Sequence, residues 1–161
     1  MSILASSRRL SRKLMRQFFH FTFLLQRPMT LGVRAVVLDP QNRVFLVRHG
    51  YVPGWHFPGG GVDTGESCLA AMARELAEEG NIEVTGPAQL HGLHFNREAS
   101  RRDHVAVYVV REFKVGDNRP ADWEIQESGF FPVDALPEGV TRGTRERLAE
   151  ILVGIPPAPE W

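Results

Sequence analysis

Short runs of hydrophobic residues, bounded by turn-forming residues, recur over most of the chain and predict β-strands. Two such runs cover residues 33–38 and 44–47, and the turn residues Asp39 to Asn42 between them predict an antiparallel hairpin. Further strands are predicted at residues 55–57, 82–84, 90–95 and 104–113, and near Phe130. Helices are predicted at residues 68–79, with Ser67 as the N-cap, and at 141–153. Strands interspersed with helices predict a mixed α/β sandwich.

The start of the chain has a helical pattern. Apolar residues recur at helical spacing, and basic residues fill the first turns: Leu10, Leu14, Phe18, Phe21 and Leu25, with Arg8, Arg9, Arg12, Lys13 and Arg16. We predict a basic amphipathic helix over residues 1–27 that packs on its own domain or on a second copy in a homodimer. Peripheral membrane contact by residues 1–27 and an organelle transit peptide are less favoured alternatives. A domain over residues 28–155 and a proline-rich tail over 156–161 complete the predicted organisation.

Composition indicates one globular domain of ordinary character. The chain has 161 residues, of which 43% are hydrophobic and 24% charged, so disordered and collagen-like classes are excluded. A single cysteine, Cys68, excludes an intramolecular disulfide and a cysteine zinc cluster. We find no apolar run long enough to span a bilayer and no convincing export signal, and therefore expect a cytoplasmic protein.

The charge is zero overall but unevenly distributed. Residues 1–38 contain seven basic residues and no acid, so the remaining residues carry 12 basic and 19 acidic groups. An acidic main domain lacks the excess of basic residues that a general nucleic-acid-binding surface has, and no strong nucleic-acid signal is present. An anionic small molecule bound by this domain would need cations beside it.

Three glutamates of the predicted helix over residues 68–79 form the most informative cluster. At 100° per residue, Glu75, Glu78 and Glu79 lie within one arc about 100° wide. Their mutual repulsion favours neutralisation by cations, and an oxygen-only ligand set favours Mg²⁺ or Mn²⁺. Taken alone, the three could equally form the solvated face of a surface helix.

The spacing around these glutamates distinguishes the two interpretations. In order it has Gly60, five residues, Glu66, seven residues, Arg74-Glu75-Leu76, one residue, Glu78-Glu79, one residue, and Asn81-Ile82. This arrangement resembles the Nudix box of MutT-type hydrolases, which implies a Nudix-type α/β/α sandwich with a mixed β-sheet. One position departs from the family, because Asn81 stands where glycine is usual. Asparagine is the best substitute for glycine in a left-handed conformation, so we expect a local adjustment only.

The resemblance also implies roles for matching residues. Glu75, Glu78, Glu79 and the backbone carbonyl of Gly59 would hold Mg²⁺ or Mn²⁺. Glu66 and Arg74 would pair and brace the loop and helix, which makes the implied catalytic set Glu66, Arg74, Glu75 and Glu79. The implied reaction is attack of water on the diphosphate of a nucleoside diphosphate linked to another group. The alternative is a Nudix-fold nucleotide-binding or sensor module without turnover.

Residues outside this segment leave several interpretations open. Glu75 is our candidate general base, and the later glutamates Glu98, Glu124 and Glu127 are alternatives whose simplest interpretation is solvent exposure. The loop arginines Arg97, Arg101 and Arg102 are candidates to clamp phosphates, although a solvated loop explains them as well. Trp55, Phe57 and Trp123 are interpreted as core rather than as platforms for a base. His91 and His94, three apart in a predicted strand, should point to opposite faces and share no metal.

Overall fold

The computed structural model of the chain describes Met15 and residues 28–117 and 120–161. Except at Met15, the helix predicted over residues 1–27 lies outside this part of the chain. The described elements are β1 (Thr30–Val37), β2 (Arg43–His49), α1 (Cys68–Gly80), β3 (Ile82–Val84), β4 (Gln89–Phe95), β5 (Asp103–Val110), β6 (Phe113–Val115), β7 (Ile125–Pro132) and α2 (Arg142–Val153). Neither α1 nor α2 has the length and apolar character that a membrane crossing requires.

The strands form a mixed arrangement, as expected for an α/β fold. The largest sheet has the order β1-β5-β4, in which β1 and β5 are parallel and β4 and β5 antiparallel. Two antiparallel pairs, β2-β7 and β3-β6, complete the described ladders. The parallel pair joins strands far apart in sequence, because two parallel strands need a long crossover connection.

The predicted hairpin of β1 and β2 is wrong. The two strands share one isolated bridge, Leu38 to Val44, and otherwise belong to different ladders. The turn itself forms, since the carboxylate of Asp39 accepts hydrogen bonds from the backbone N–H groups of Gln41 and Arg43. However, one edge of β1 is occupied by β5 and the other by residues 58–61, so β2 pairs with β7 instead.

Alternating residues of β1 separate two hydrophobic clusters. Val33, Ala35 and Val37 face the first cluster, together with Met72 and Leu76 of α1. Val36 of β1 and Leu38 just after it belong to the second cluster, to which α2 contributes Leu148. The two helices therefore cover opposite faces of the strands, and this three-layer arrangement holds α1 against β1.

Several predicted strands differ in detail. The predicted strand over residues 104–113 is interrupted after Val110 and continues as β6. Trp55 and His56 form only isolated bridges, although Trp55 and Phe57 are buried core residues as predicted. The core interpretation of Trp123 is wrong, because its side chain is 81% exposed.

The histidines of β4 also depart from prediction. The register of β4 against β5 shifts between Leu90 and Gly92, which inserts His91 as an extra residue. Such a shift breaks the two-residue alternation, and the rings of His91 and His94 stack with their centroids 6.1 Å apart. The prediction that these side chains point to opposite faces is therefore wrong.

Candidate metal-binding and catalytic site

A glycine segment runs along the free edge of β1 and forms one wall of the site. Backbone N–H groups of Val33 and Ala35 donate to the carbonyls of Gly60 and Pro58, both at 2.9 Å. Gly59 has a φ of 142°, and a Cβ there would overlap the carbonyl of Val33. Only glycine allows the backbone to approach β1 this closely.

Helix α1 brings the acidic residues to this wall. The Ser67 hydroxyl caps the helix by accepting from the N–H of Ala70 at 3.2 Å, and Met72 and Leu76 anchor the opposite face in the core. A Cβ at Gly60 would overlap the carboxylate of Glu75. The absence of a side chain at Gly60 thus provides the space that this carboxylate occupies.

Glu79 is the most buried of the three glutamates, with 4% of its surface exposed. Its Oε2 accepts a hydrogen bond from the N–H of Gly59 at 2.7 Å, and its Oε1 lies 3.6 Å from Nε2 of His49. Burial raises the pKa of Glu79 to about 7, even though the Gly59 N–H and the charge of Arg34 oppose the shift. Burial also lowers the pKa of His49 to about 4, so this ring is neutral near pH 7 and does not compensate the carboxylate.

Glu75 and Glu78 are held differently, because both contact Arg74. Nη1 of Arg74 lies 2.8 Å from Oε1 of Glu75 and 3.4 Å from Oε2 of Glu78. The side chain of Glu75 is largely buried, and burial raises its pKa, whereas the side chain of Glu78 is 60% exposed. The three carboxylates on the helical arc predicted from sequence therefore differ in burial, from the buried Glu79 to the solvated Glu78.

Arg74 also contacts Glu66 and the glycine segment. Its Nε and Nη2 each lie 3.1 Å from one oxygen of Glu66, and Nη2 donates to the carbonyl of Gly61 at 3.0 Å. This bidentate pair lowers the pKa of Glu66. One guanidinium thus connects the loop, the glycine segment and the acidic face of α1.

The donor set suits a hard divalent ion. Glu75, Glu78, Glu79 and the carbonyl of Gly59 offer only oxygen, which Mg²⁺ and Mn²⁺ prefer. A carboxylate with a pKa near 7 beside a second buried carboxylate indicates negative charge that the described residues compensate only in part. The three carboxylates point to different partners, since Glu75 and Glu78 contact Arg74 and Glu79 contacts Gly59. The residues present fit the ion, which would draw these side chains toward one point.

Sequence reasoning missed Arg34, a partly buried residue of β1. Its Nη1 donates to the carbonyls of Phe57 at 3.0 Å and Gly59 at 2.7 Å, so it shares the Gly59 oxygen assigned to the metal. The sequence signal that could have identified Arg34 is its position as a charged residue inside the apolar run over residues 33–38. Arg34 also lines a cavity of about 580 Å³ beside the glycine segment, together with Gly60, Gly61, Asn96, Glu98, Arg142 and Trp161.

The other predicted candidates are dispersed. Glu98 and Glu127 form surface ion pairs with Arg142 and Arg48, both at 2.8 Å, whereas the charge of Glu124 contributes to the raised pKa of Glu79. Of these three, Glu124 is the one whose charge acts on the buried carboxylate of Glu79, and Glu98 lines the cavity beside the glycine segment. The phosphate-clamp candidates Arg97, Arg101 and Arg102 are exposed on the loop between β4 and β5. Within the described part of the chain, this loop contributes Asn96, Glu98 and Ala99 to the cavity, not the arginines.

The unusual Asn81 ends helix α1. It has φ 49° and ψ 42°, the left-handed conformation, and its N–H donates to the carbonyl of Ala77 at 3.1 Å. Its side-chain Nδ2 donates to the carbonyl of Asp117 at 3.0 Å. Asparagine therefore supplies the glycine-like backbone and adds a contact that glycine lacks.

Replacing Asn81 with alanine is expected to lower the free energy of unfolding by about 1–2 kcal/mol, because a Cβ is strained in the left-handed region. Asn81→Gly should change it by less than about 0.5 kcal/mol, since relief of strain offsets the lost bond to Asp117. Urea unfolding of both variants, with the exposed Glu83→Ala as a control, measures this. Equal destabilisation by alanine and glycine would show that the side-chain contact, not the backbone conformation, matters.

Comparison with known proteins gives one family. The NUDIX domain model matches residues 28–151. An RNA pyrophosphohydrolase of Francisella tularensis is 55% identical over 48 residues, which are 30% of this chain and 31% of that protein. The crystal structure of a MutT NUDIX hydrolase from Burkholderia pseudomallei aligns with a TM-score of 0.65 and 27% identity, covering 76% of this chain and 97% of that one.

A second solved structure extends the likeness. An ADP-ribose pyrophosphatase from Streptococcus suis aligns with a TM-score of 0.62 and 25% identity, covering 78% of this chain and 90% of that one. By contrast, the match to the curated relative from Francisella tularensis spans about a third of its length. The similarity to whole domains is thus structural, and the high sequence identity is confined to a short segment.

Proposed function

Because the chain belongs to the NUDIX family, we propose that it is a hydrolase that uses Mg²⁺ or Mn²⁺ to cleave the diphosphate linkage of a nucleoside diphosphate derivative. Water would attack a phosphorus of the diphosphate. The observation that carries this proposal is the buried carboxylate of Glu79, fixed by the Gly59 N–H beside the partly buried Glu75. Burying the incompletely compensated carboxylate of Glu79 beside Glu75 costs stability, which a bound divalent ion would offset.

The proposed ion would be held by Glu75, Glu78, Glu79 and the carbonyl of Gly59. When bound, such an ion screens the charge of a diphosphate and lowers the pKa of a coordinated water. Arg74 and Glu66 are proposed to position these ligands, because the bidentate pair ties α1 to the carbonyl of Gly61. Loss of that pair would free Glu75 to move away from the glycine segment.

Glu75 is the proposed general base. Burial raises its pKa, and a base works best when its pKa approaches the working pH. Its carboxylate lies against Gly60, which lines the cavity, so it is next to the space that a substrate would enter. Glu124, whose charge acts on Glu79, and Glu98, which lines the cavity, remain alternative candidates, as does Glu127.

The cavity beside the glycine segment is the proposed substrate site. Arg34 and Arg142 line it and provide positive charge for phosphate oxygens, and Trp161 provides an aromatic surface. Two of the similar proteins are named an RNA pyrophosphohydrolase and an ADP-ribose pyrophosphatase, so both names refer to cleavage of a pyrophosphate bond. We therefore propose that the reacting diphosphate is the common element and leave the attached group to experiment.

A substrate panel tests the proposed activity. The purified protein is incubated with Mg²⁺ and nucleoside triphosphates, nucleotide sugars, ADP-ribose and a 5′-triphosphorylated oligoribonucleotide, and the products are identified by mass spectrometry in ¹⁸O-labelled water. We expect ¹⁸O in a phosphate product from at least one class, dependent on the ion. Turnover of none of them by folded, Mg²⁺-loaded protein would contradict catalysis and favour a binding module instead.

A further inference from the structure

A second group of metal-ligand residues lies between strand β4 and helix α2. It consists of His91 and His94 of β4 and Glu150 of α2, each of which offers one ligand atom within 4.8 Å of the others. In the part of the chain that the structure describes, this is the one group of three such side chains that close together. None of its members belongs to the acidic face of α1.

His94 has one nitrogen without a hydrogen-bond partner among the described residues. Its side chain is fully buried, and its Nδ1 lies 2.7 Å from the carbonyl of Ala158. That carbonyl accepts only, so Nδ1 carries the proton and Nε2 has an unpaired lone pair. Among the described residues, no hydrogen-bond partner reaches Nε2. A histidine whose second nitrogen donates to a carbonyl is oriented as metal-bound histidines are.

The carboxylate of Glu150 is also fixed by hydrogen bonds to one of its oxygens. It is 6% exposed, and its Oε1 accepts from Nη2 of Arg147 at 2.7 Å and from the N–H of Ala158 at 3.1 Å. These two bonds fix the carboxylate and leave Oε2 directed at His91, whose Nε2 lies 2.9 Å away. Two tetrahedral ligands that each stand about 2.0–2.1 Å from one zinc ion are separated by roughly 3.3–3.4 Å, so these two groups would need to move apart only slightly.

We propose that His91, His94 and Glu150 form a binding site for a transition-metal ion of the zinc class, distinct from the Mg²⁺ site on α1. Two imidazoles and one carboxylate suit Zn²⁺ and Co²⁺, whereas Mg²⁺ prefers oxygen alone. Three protein ligands leave a fourth position for water. Binding would replace the hydrogen bond between His91 and Glu150, and a proton on Nε2 of His91 would move to Nδ1 of the ring or to solvent.

The charge of Arg147 limits the strength of this site. Its guanidinium is buried and contacts both Glu150, at 2.7 Å, and Glu146, at 3.6 Å. Arg147 also donates to the carbonyl of Glu160 at 2.7 Å, so it is fixed in place. Glu150 therefore divides its charge between Arg147 and the ion, and we expect weaker binding than in a site with two carboxylates.

The ion would fasten the end of the chain to the domain. Ala158 contacts both His94 and Glu150, and Pro157 lies so close to Gly92 that a Cβ there would come within 2.7 Å of it. Three residues after Ala158, Trp161 lines the large cavity. Occupancy of this site would therefore restrain a wall of that cavity.

Cobalt titration of the full-length protein in excess Mg²⁺ tests the site, because Co²⁺ bound by histidines in tetrahedral geometry has strong visible absorption. We expect one absorbing Co²⁺ per chain, displaced by Zn²⁺. His91→Gln and His94→Gln should each weaken binding at least about 100-fold, since loss of a mere supporting residue already costs about 10–100-fold. His104→Gln, in β5 and outside the group, is the matched control and should bind as the wild type does.

Two results would overturn the proposal. One is the lack of Co²⁺ absorption in folded wild-type protein, which would leave a buried hydrogen-bonded cluster only. The other is unchanged binding in His91→Gln, whose fold is verified by circular dichroism. If His94→Gln does not fold, histidine-selective ¹⁵N NMR of the wild type replaces it, and Zn²⁺ must shift Nε2 of His94. The outcome is independent of the proposed hydrolase activity, because the readouts are optical and spectroscopic.

Discussion

Replacing Glu79 with glutamine is expected to lower kcat by about 10³-fold or more on any substrate that the panel identifies. Metal catalysis contributes several kcal/mol to transition-state stabilisation, and each 1.4 kcal/mol is a factor of about ten in rate. Glutamine has nearly the same shape and keeps an oxygen for the N–H of Gly59, so the helix and glycine segment should stay in place. Steady-state kinetics with saturating Mg²⁺ measures the change.

Glu138→Gln is the matched control for this loss. Glu138 is exposed in the turn before α2, so removal of its charge should leave kcat unchanged. A second variant, Glu75→Gln, removes the proposed base and should lower kcat by about 10²–10⁴-fold. Turnover by Glu79→Gln within about threefold of the wild type would contradict a role for Glu79 in holding the ion.

The same Glu79→Gln substitution is expected to stabilise the metal-free protein by up to about 3 kcal/mol above pH 7. Burial raises the pKa of Glu79 from its ordinary value of 4.5 to about 7, so the folded protein retains a proton that the unfolded chain has lost. The stabilisation that this proton gives is complete below about pH 4.5 and is lost as the pH rises through 7, at roughly 1.4 kcal/mol per unit. Glutamine is never ionised, so the variant does not lose this stability as the pH rises.

Urea unfolding in the presence of a chelator measures this difference at about pH 5 and about pH 8. The variant should gain stability relative to wild type mainly at the higher pH, whereas His49, which also titrates, is present in both proteins and cancels. Excess Mg²⁺ should reverse the order, because the ion binds the folded wild type preferentially. A difference that is the same at both pH values would contradict a buried, uncompensated Glu79.

Local sequence signals predicted the elements that build the site. Helix α1 begins at the predicted cap Ser67 and ends at Asn81 in the left-handed conformation proposed for it. Helical spacing and residue type are short-range properties, so one sequence suffices to place Glu75, Glu78 and Glu79 on a common arc. Their unequal burial depends on the approach of residues 59–61 to β1, which no local pattern contains.

Long-range pairing accounts for the wrong predictions. Strand β1 uses both edges for β5 and the glycine segment, so β2 pairs with β7 and the expected hairpin does not form. The extra residue in β4 depends on its register with β5, and it brings His91 and His94 together against the simple alternation. Arg34 reaches Gly59 only because residues 59–61 lie beside β1. These contacts join segments far apart in sequence.

Manganese binding tests most directly whether the glutamates of α1 hold a divalent ion. Mn²⁺ is titrated, with nucleotide present, into three proteins that all carry His91→Gln to remove the histidine site: one with no further change, one with Glu79→Gln and one with Glu138→Gln. Free Mn²⁺ is measured by electron paramagnetic resonance. We expect bound Mn²⁺ for the protein with intact glutamates and for Glu138→Gln, and binding at least about 100-fold weaker for Glu79→Gln. Equal binding by all three, or none by any, would contradict this expectation.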